Sequence, residues 1–118
     1  MATKIPPKVQ QLLKQLDDYQ KTYNAIVAQK QQLQAALLEH KNALEAVKTA
    51  KENEVYKLAG TVFFKTDKDQ VIKELEESIT LLEARISTLE KQEKRLMDDI
   101  KRINQEIREY VSRPKQGG

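Results

Sequence analysis

The sequence predicts a fold dominated by α-helix: a long antiparallel two-helix coiled coil with one β-hairpin at the helix–helix connection. Three observations predict it. One heptad stripe runs from Val9 to Val47, a second runs from Ile72 to Tyr110, and a short β-prone stretch, Glu54 to Lys65, lies between them. Composition agrees. Of 118 residues, 39% are hydrophobic and 33% charged, with only three Gly and three Pro, a balance that leans to long helices rather than a compact globule. The chain reads as a single domain, residues 1–118, with a helix over about 7–52, a hairpin over about 54–66, a helix over about 67–112 and a frayed tail at 113–118.

Pro6 and Pro7 open the first helix, since proline is tolerated in the first helical turn. From there the apolar residues step by three and four without a slip. Position a holds Val9, Leu16, Tyr23, Lys30, Leu37 and Leu44, and position d holds Leu12, Tyr19, Ile26, Leu33, His40 and Val47. The residues between them are rich in Gln, Lys and Ala, all good helix formers.

The central stretch changes character. Tyr56, Phe63 and Phe64 are half of the aromatic residues, which number four Tyr and two Phe, and Val55 and Val62 add β-branched shapes suited to a pleated surface. Ala59-Gly60 separates the two β-like runs, and Gly60 can take the positive φ of a tight turn. The register is open to a one-residue shift through a glycine bulge. The assembly residues expected here are Val55, Tyr56, Leu58, Gly60, Val62, Phe63 and Phe64. A lone hairpin is marginal in water. One with apolar groups on both faces is expected to complete a sheet with strands of other chains.

After the hairpin, Asp67 with Gln70, or Thr66 with Asp69, fits a capping box for the second helix. Its position a holds Ile72, Ile79, Ile86, Glu93, Ile100 and Ile107, and its position d holds Leu75, Leu82, Leu89, Leu96, Ile103 and Tyr110. Glu90/Lys94 and Asp98/Arg102 are i,i+4 pairs with the acid first. Arg113-Pro114 is expected to stop the helix. Folding the helices back antiparallel matches every a with a d: Val47 faces Ile72, Leu44 faces Leu75, and so on to Val9 facing Tyr110. The same match brings the two charged seam residues, Lys30 and Glu93, into adjacent layers, where a diagonal core ion pair would fix register at some cost in stability. Helices of roughly 46 residues would make a rod about 70 Å long, with the hairpin at one end and both termini at the other.

Several function classes are excluded. The sequence has no phosphate-binding glycine loop, and Gly60 is its only internal glycine. It has no Cys and a single His, so neither a thiol nucleophile, a Ser/His/Asp set nor a metal site is expected. His40 reads as a seam histidine with its ring edge reaching water. Carboxylate pairs such as Glu76-Glu77 fall on solvated faces with no pocket to perturb them. The chain is therefore not expected to be an enzyme or to hold a cofactor. The net charge of +3 comes from residues 1–53, with eight Lys against five acids, while residues 54–118 balance thirteen basic against thirteen acidic residues, and neither half is a basic tail to suggest nucleic acid. No apolar run approaches the ~20 residues of a membrane span, and no signal-like segment opens the chain, so a soluble cytoplasmic protein is expected.

Apolar residues gather near both termini. Ile5, Val9, Leu12, Leu13 and Leu16 would meet Ile103, Ile107, Tyr110 and Val111 at the far tip, a candidate surface for apolar partners.

Together these features resemble the β-type subunits of prefoldin, most of all the archaeal ones. The hairpin motif of that family is an aliphatic-Tyr-Lys-x-x-Gly-x run, then three apolar residues and Lys. It is matched at Val55, Tyr56, Lys57, Gly60, Val62, Phe63, Phe64 and Lys65, and the opening Ile5-Pro6-Pro7-Lys8-Val9-Gln10 is similar too. Thr61 departs from the Pro often found there, which bears on turn detail only. The single hairpin separates the β type from the longer α type. The resemblance implies an ATP-independent holdase. Two α-type and four β-type subunits would pool their hairpins into a β-barrel, with the coiled-coil tips holding non-native client proteins and passing them to a group II chaperonin. Basic residues at the tip, Lys8, Lys14, Arg108, Arg113 and Lys115, would then meet acidic groups on the chaperonin. The alternative is a structural coiled-coil scaffold or tether without chaperone activity.

Overall fold

The computed structural model describes residues 5–112. Helix α1, Pro7–Thr49, is followed by strands β1, Glu54–Ala59, and β2, Val62–Asp67, and then by helix α2, Lys68–Ser112. The expected stop at Pro114, the tail at 113–118 and the basic residues Arg113 and Lys115 lie outside the described residues.

Pro7 occupies the first position of α1, where a missing N–H costs nothing because that donor has no intrahelical acceptor. The Gln10 backbone N–H closes the first turn on the Pro6 carbonyl at 3.0 Å, and its side-chain amide donates to the Ile5 carbonyl at 2.9 Å. At the other end α1 stops at Thr49, short of the expected 52. The reason is local. The Thr49 hydroxyl bonds back to the carbonyls of Glu45 and Ala46, and the Ala50 N–H tightens the last turn onto the Val47 carbonyl at 3.2 Å. The Ala50 carbonyl is then taken by the Lys68 ammonium at 2.6 Å, a cation at a helix C-terminus where the dipole favours it. The Lys68 backbone N–H, the first of α2, donates to the Asn53 carbonyl at 2.9 Å. One residue thus ties the end of α1 and the lead-in to the hairpin to the start of α2.

The chain packs as two compact units, residues 1–29 with 89–118 and residues 30–88. In the first, Val9, Leu12, Leu89 and Ile103 are buried, and in the second Ile79 and Ile86 are. Every remaining a and d position of both stripes is half-buried. That thin interior follows from the architecture. A seam between two helices covers one side of each side chain and leaves the other near water, with no third layer to close it. Among the described residues only Ile103 reaches complete burial. His40 is half-buried, and its Nδ1 lies 2.7 Å from the Ala36 carbonyl one turn back, so its polar edge is satisfied on its own helix. Lys30 and Glu93 are half-buried in their respective units, and each has an interaction partner.

The hairpin pairs Glu54 with Asp67, Val55 with Thr66, Tyr56 with Lys65, Lys57 with Phe64, Leu58 with Phe63 and Ala59 with Val62. The turn is therefore Gly60-Thr61, one residue later than Ala59-Gly60, and the ladder is regular, without a bulge. Ala59 stays in the strand because the only positive φ of the described chain, 64°, falls at Gly60, the first central residue of a two-residue turn. That is where a type II′ hairpin places glycine. A Cβ at Gly60 would meet open space, so the penalty of a side chain there is conformational rather than steric. Gly60→Ala should destabilise the turn by about 1–2 kcal/mol, and Gly60→Asn by less, since Asn tolerates this region better. Thermal melts of the two variants check the order.

Candidate functional site

The register sorts the hairpin side chains onto two faces, because successive residues of a strand point to opposite sides. Tyr56, Leu58 and Phe63 share one face, bordered by a diagonal ion pair in which Lys65 reaches Glu54 at 2.6 Å. Val55, Ala59, Val62 and Phe64 share the other with Lys57 and Thr66. Both faces are apolar and both are bare: Tyr56 is 69% exposed and Phe63 68%, and Leu58, Val62 and Phe64 are also exposed. Only Val55 and Thr66, at the base, are half-shielded. With just two strands, each also presents an outer edge of backbone N–H and C=O groups without ladder partners. A natural sequence manages such an edge with charge, bulge or cover. Here the Glu54, Lys57, Lys65 and Asp67 charges sit toward the base and middle, leaving the stretch around the turn uncharged.

The hairpin is held to α2 by a contact that heptad reasoning does not reveal. The Lys57 ammonium donates to Glu74 Oε2 at 2.9 Å, and the Gln70 amide, one turn earlier on α2, donates to Glu74 Oε1 at 3.3 Å. These bonds, Lys57 first and Gln70 second, hold the Glu74 carboxyl below its ordinary value. A carboxyl lowered in the folded state contributes stability that is complete above the unfolded value of about 4.3 and is lost as pH falls through the folded one. The strap should therefore hold at neutral pH and release only in acid, as pH falls below the ordinary carboxylate range. An NMR titration should show the Glu74 carboxyl titrating below the ordinary carboxylate range, and Lys57→Met should return it toward that range.

The second candidate surface is the terminal end of the first unit. There the start of α1 and the last turns of α2 adjoin, and Lys8, Leu12, Glu106, Glu109 and Tyr110 line a shallow open cleft. The nine apolar residues expected at this tip fall into three groups. Ile5, Leu13 and Val111 are open to solvent, at 50%, 41% and 70% exposure; Leu16, Ile107 and Tyr110 are half-buried; Val9, Leu12 and Ile103 are buried in the seam. The last three meet a partner only if the helices part, and each then gives up burial worth about 1.5–3 kcal/mol.

Ion pairing on α2 differs from the expected pattern. Arg102 turns to Asp99 at 3.6 Å and Glu106 at 3.2 Å rather than to Asp98, and Lys94 makes no ion pair with Glu90. Leu38, Leu81 and Met97, apolar residues off the heptad stripe, are also exposed. Their off-stripe position was the available signal. Among the described residues no group of three His, Cys, Asp or Glu is placed to hold a metal ion, and no helix is long and apolar enough to cross a membrane.

Comparison with known proteins bears on this architecture. The family model described as prefoldin subunit matches residues 10–113. The chain is 40% identical over 114 residues to prefoldin subunit beta of Pyrococcus horikoshii, covering 96% of this chain and 97% of that protein. It is 43% identical over 104 residues to prefoldin subunit beta of Thermococcus onnurineus, covering 87% and 90%. The crystal structure of the prefoldin beta subunit from Thermococcus strain KS-1 superposes with a TM-score of 0.87 at 39% identity, covering 96% of this chain and all of that one.

Proposed function

The chain belongs to the prefoldin family, as a chaperone subunit of the beta kind and not an enzyme, and on that footing we propose that it is an ATP-independent holdase. In this reading the hairpin assembles the complex. Val55, Tyr56, Leu58, Gly60, Val62, Phe63 and Phe64 add strands and apolar faces to those of neighbouring subunits, closing a β-barrel with α-type partners in a hexamer of two α-type and four β-type chains. The observation that carries this is the bareness of both hairpin faces, since an apolar sheet with two open edges is stable only when other strands cover it.

The tip residues Ile5, Leu13 and Val111, joined by Val9, Leu12, Leu16, Ile103, Ile107 and Tyr110 as the last turns splay, hold non-native clients. Each apolar contact is weak, on the order of 25 cal/mol per Å². Several tips on one client supply the hold through avidity while each exchanges quickly. Release to a group II chaperonin in the cytoplasm then needs no nucleotide. The test is to mix the chain with an α-type partner, measure the mass of the product, and assay suppression of client aggregation without ATP. A complex of the expected mass that leaves aggregation unchanged would favour a plain coiled-coil scaffold.

A further inference from the structure

One side of α2 in the first unit combines cations and apolar groups in a way the tip alone does not explain. Lys94, Met97, Lys101, Asn104, Arg108 and Val111 follow one another by three and four residues, so they form a single stripe along the helix. All are exposed except Asn104, which is half-buried. The three cations are seven residues apart, hence about 10 Å along the axis. None of them makes an ion pair with another described residue. The acids Asp99 and Glu106 on the other side of the helix are engaged by Arg102, and Glu109 accepts the Gln105 amide at 3.2 Å. Along the stripe itself the first acid is Glu90, one turn before Lys94, and beside it stands one further exposed acid, Asp98, four residues from Lys94 and three from Lys101 and in no ion pair. Against three cations Asp98 sets one carboxylate, so the stripe carries a net positive charge interleaved with Met97 and Val111, and it ends in the exposed apolar residue of the tip.

We propose that this stripe binds acidic, apolar-bearing segments of non-native polypeptide, so that the chain prefers clients whose hydrophobic residues are flanked by Glu and Asp. The inference rests on the reading that the chain holds non-native protein, and it names the class of segment held. Charge complementarity supports it, because an acidic segment meets three cations outside any ion pair, which outnumber the single neighbouring acid Asp98, while its apolar residues reach Met97 and Val111. Continuity supports it too, because a client seated on the tip extends directly onto the stripe. A basic segment would meet like charge and be disfavoured.

The experiment uses the full chain assembled with an α-type partner and three labelled peptides of equal apolar content. Their polar residues are Glu in the first, Gln in the second and Lys in the third, and binding is followed by fluorescence anisotropy at low and high salt. The expected result is binding of the Glu peptide about tenfold tighter than the Gln peptide, the order expected of three exposed ion pairs, with the advantage lost at high salt. The combined variant Lys94→Glu, Lys101→Glu and Arg108→Glu should reverse the order of the Glu and Lys peptides and leave the Gln peptide unaffected. Should that variant fail to assemble, the corresponding three Gln substitutions should abolish the preference without reversing it. Equal binding of all three peptides by the native complex would overturn the stripe and leave the holdase reading standing. No binding of any peptide while a denatured client is still held would overturn the stripe alone, and no binding of either peptide or denatured client would overturn both. A labelled single-stranded RNA binding more tightly than the Glu peptide would overturn the proposal in favour of a nucleic-acid surface.

Discussion

Phe63→Ser with Phe64→Ser should leave the chain unable to enter a larger assembly, while its helices still form. The two side chains lie on opposite faces of the hairpin, so the pair of changes strips both apolar surfaces at once. Each is more than half exposed in the single chain, so little of the chain's own folding energy depends on them. Their burial can come only from other chains. A phenylalanine side chain taken fully out of water contributes about 1.5–3 kcal/mol, so the double change removes roughly 3–6 kcal/mol per subunit from an interface that several subunits share. A loss of that size per copy is enough to dissociate a micromolar assembly. Mass measurement by light scattering, with and without an α-type partner, should show the variant at low mass. Circular dichroism should show its helix content nearly unchanged. An intact complex would remove the assembly role from the hairpin.

The second large effect is expected at the tip, with the opposite separation of properties. Deleting residues 1–8 and 110–118 should leave the assembled mass intact and abolish suppression of client aggregation. The deletion takes Ile5, Tyr110 and Val111, and it unseats the first turn that holds Val9 and Leu12 in place. A milder variant, Ile5→Ser with Leu13→Ser and Val111→Ser, touches only side chains already open to solvent, so the seam should survive. Each change removes on the order of 1 kcal/mol of client contact. With several tips gripping one client, as proposed, these losses would multiply, and suppression should fall by roughly tenfold or more. If the deletion variant holds a denatured client as well as the native chain does, the grip lies elsewhere on the molecule. The two experiments dissociate cleanly: the hairpin variant loses the complex, and the tip variants lose the client.

Much of the fold was legible in the order of residues. Two unbroken heptad stripes name their own seam, and each a and d position so assigned is buried or half-buried. The aromatic, β-branched run with a central glycine named the hairpin, and the family motif lies within it. The misses share a cause, since each depends on which of several available groups a side chain meets. The turn moved by one residue because Ala59 pairs with Val62 once Gly60 takes the positive φ. The first helix ended early because Thr49 and Lys68 supplied local caps. Arg102 had acids at several helical spacings within reach and took Asp99 and Glu106, where the acid-first i,i+4 order pointed to Asp98.

What the sequence by itself determined is the period of each segment, and with it the identity of every element and the apolar face each one must hide. Periodicity is a property of the chain and needs no partner to be read. Only tertiary structure decided which apolar residues stay bare, which of the tip residues are sealed in the seam, and how Lys57 and Glu74, seventeen residues apart, strap the hairpin to α2. Such outcomes depend on the distance between groups that no local rule brings together. Whether a leucine at the tip is a core residue or a contact surface is set by what lies across from it, not by the residues beside it in the chain.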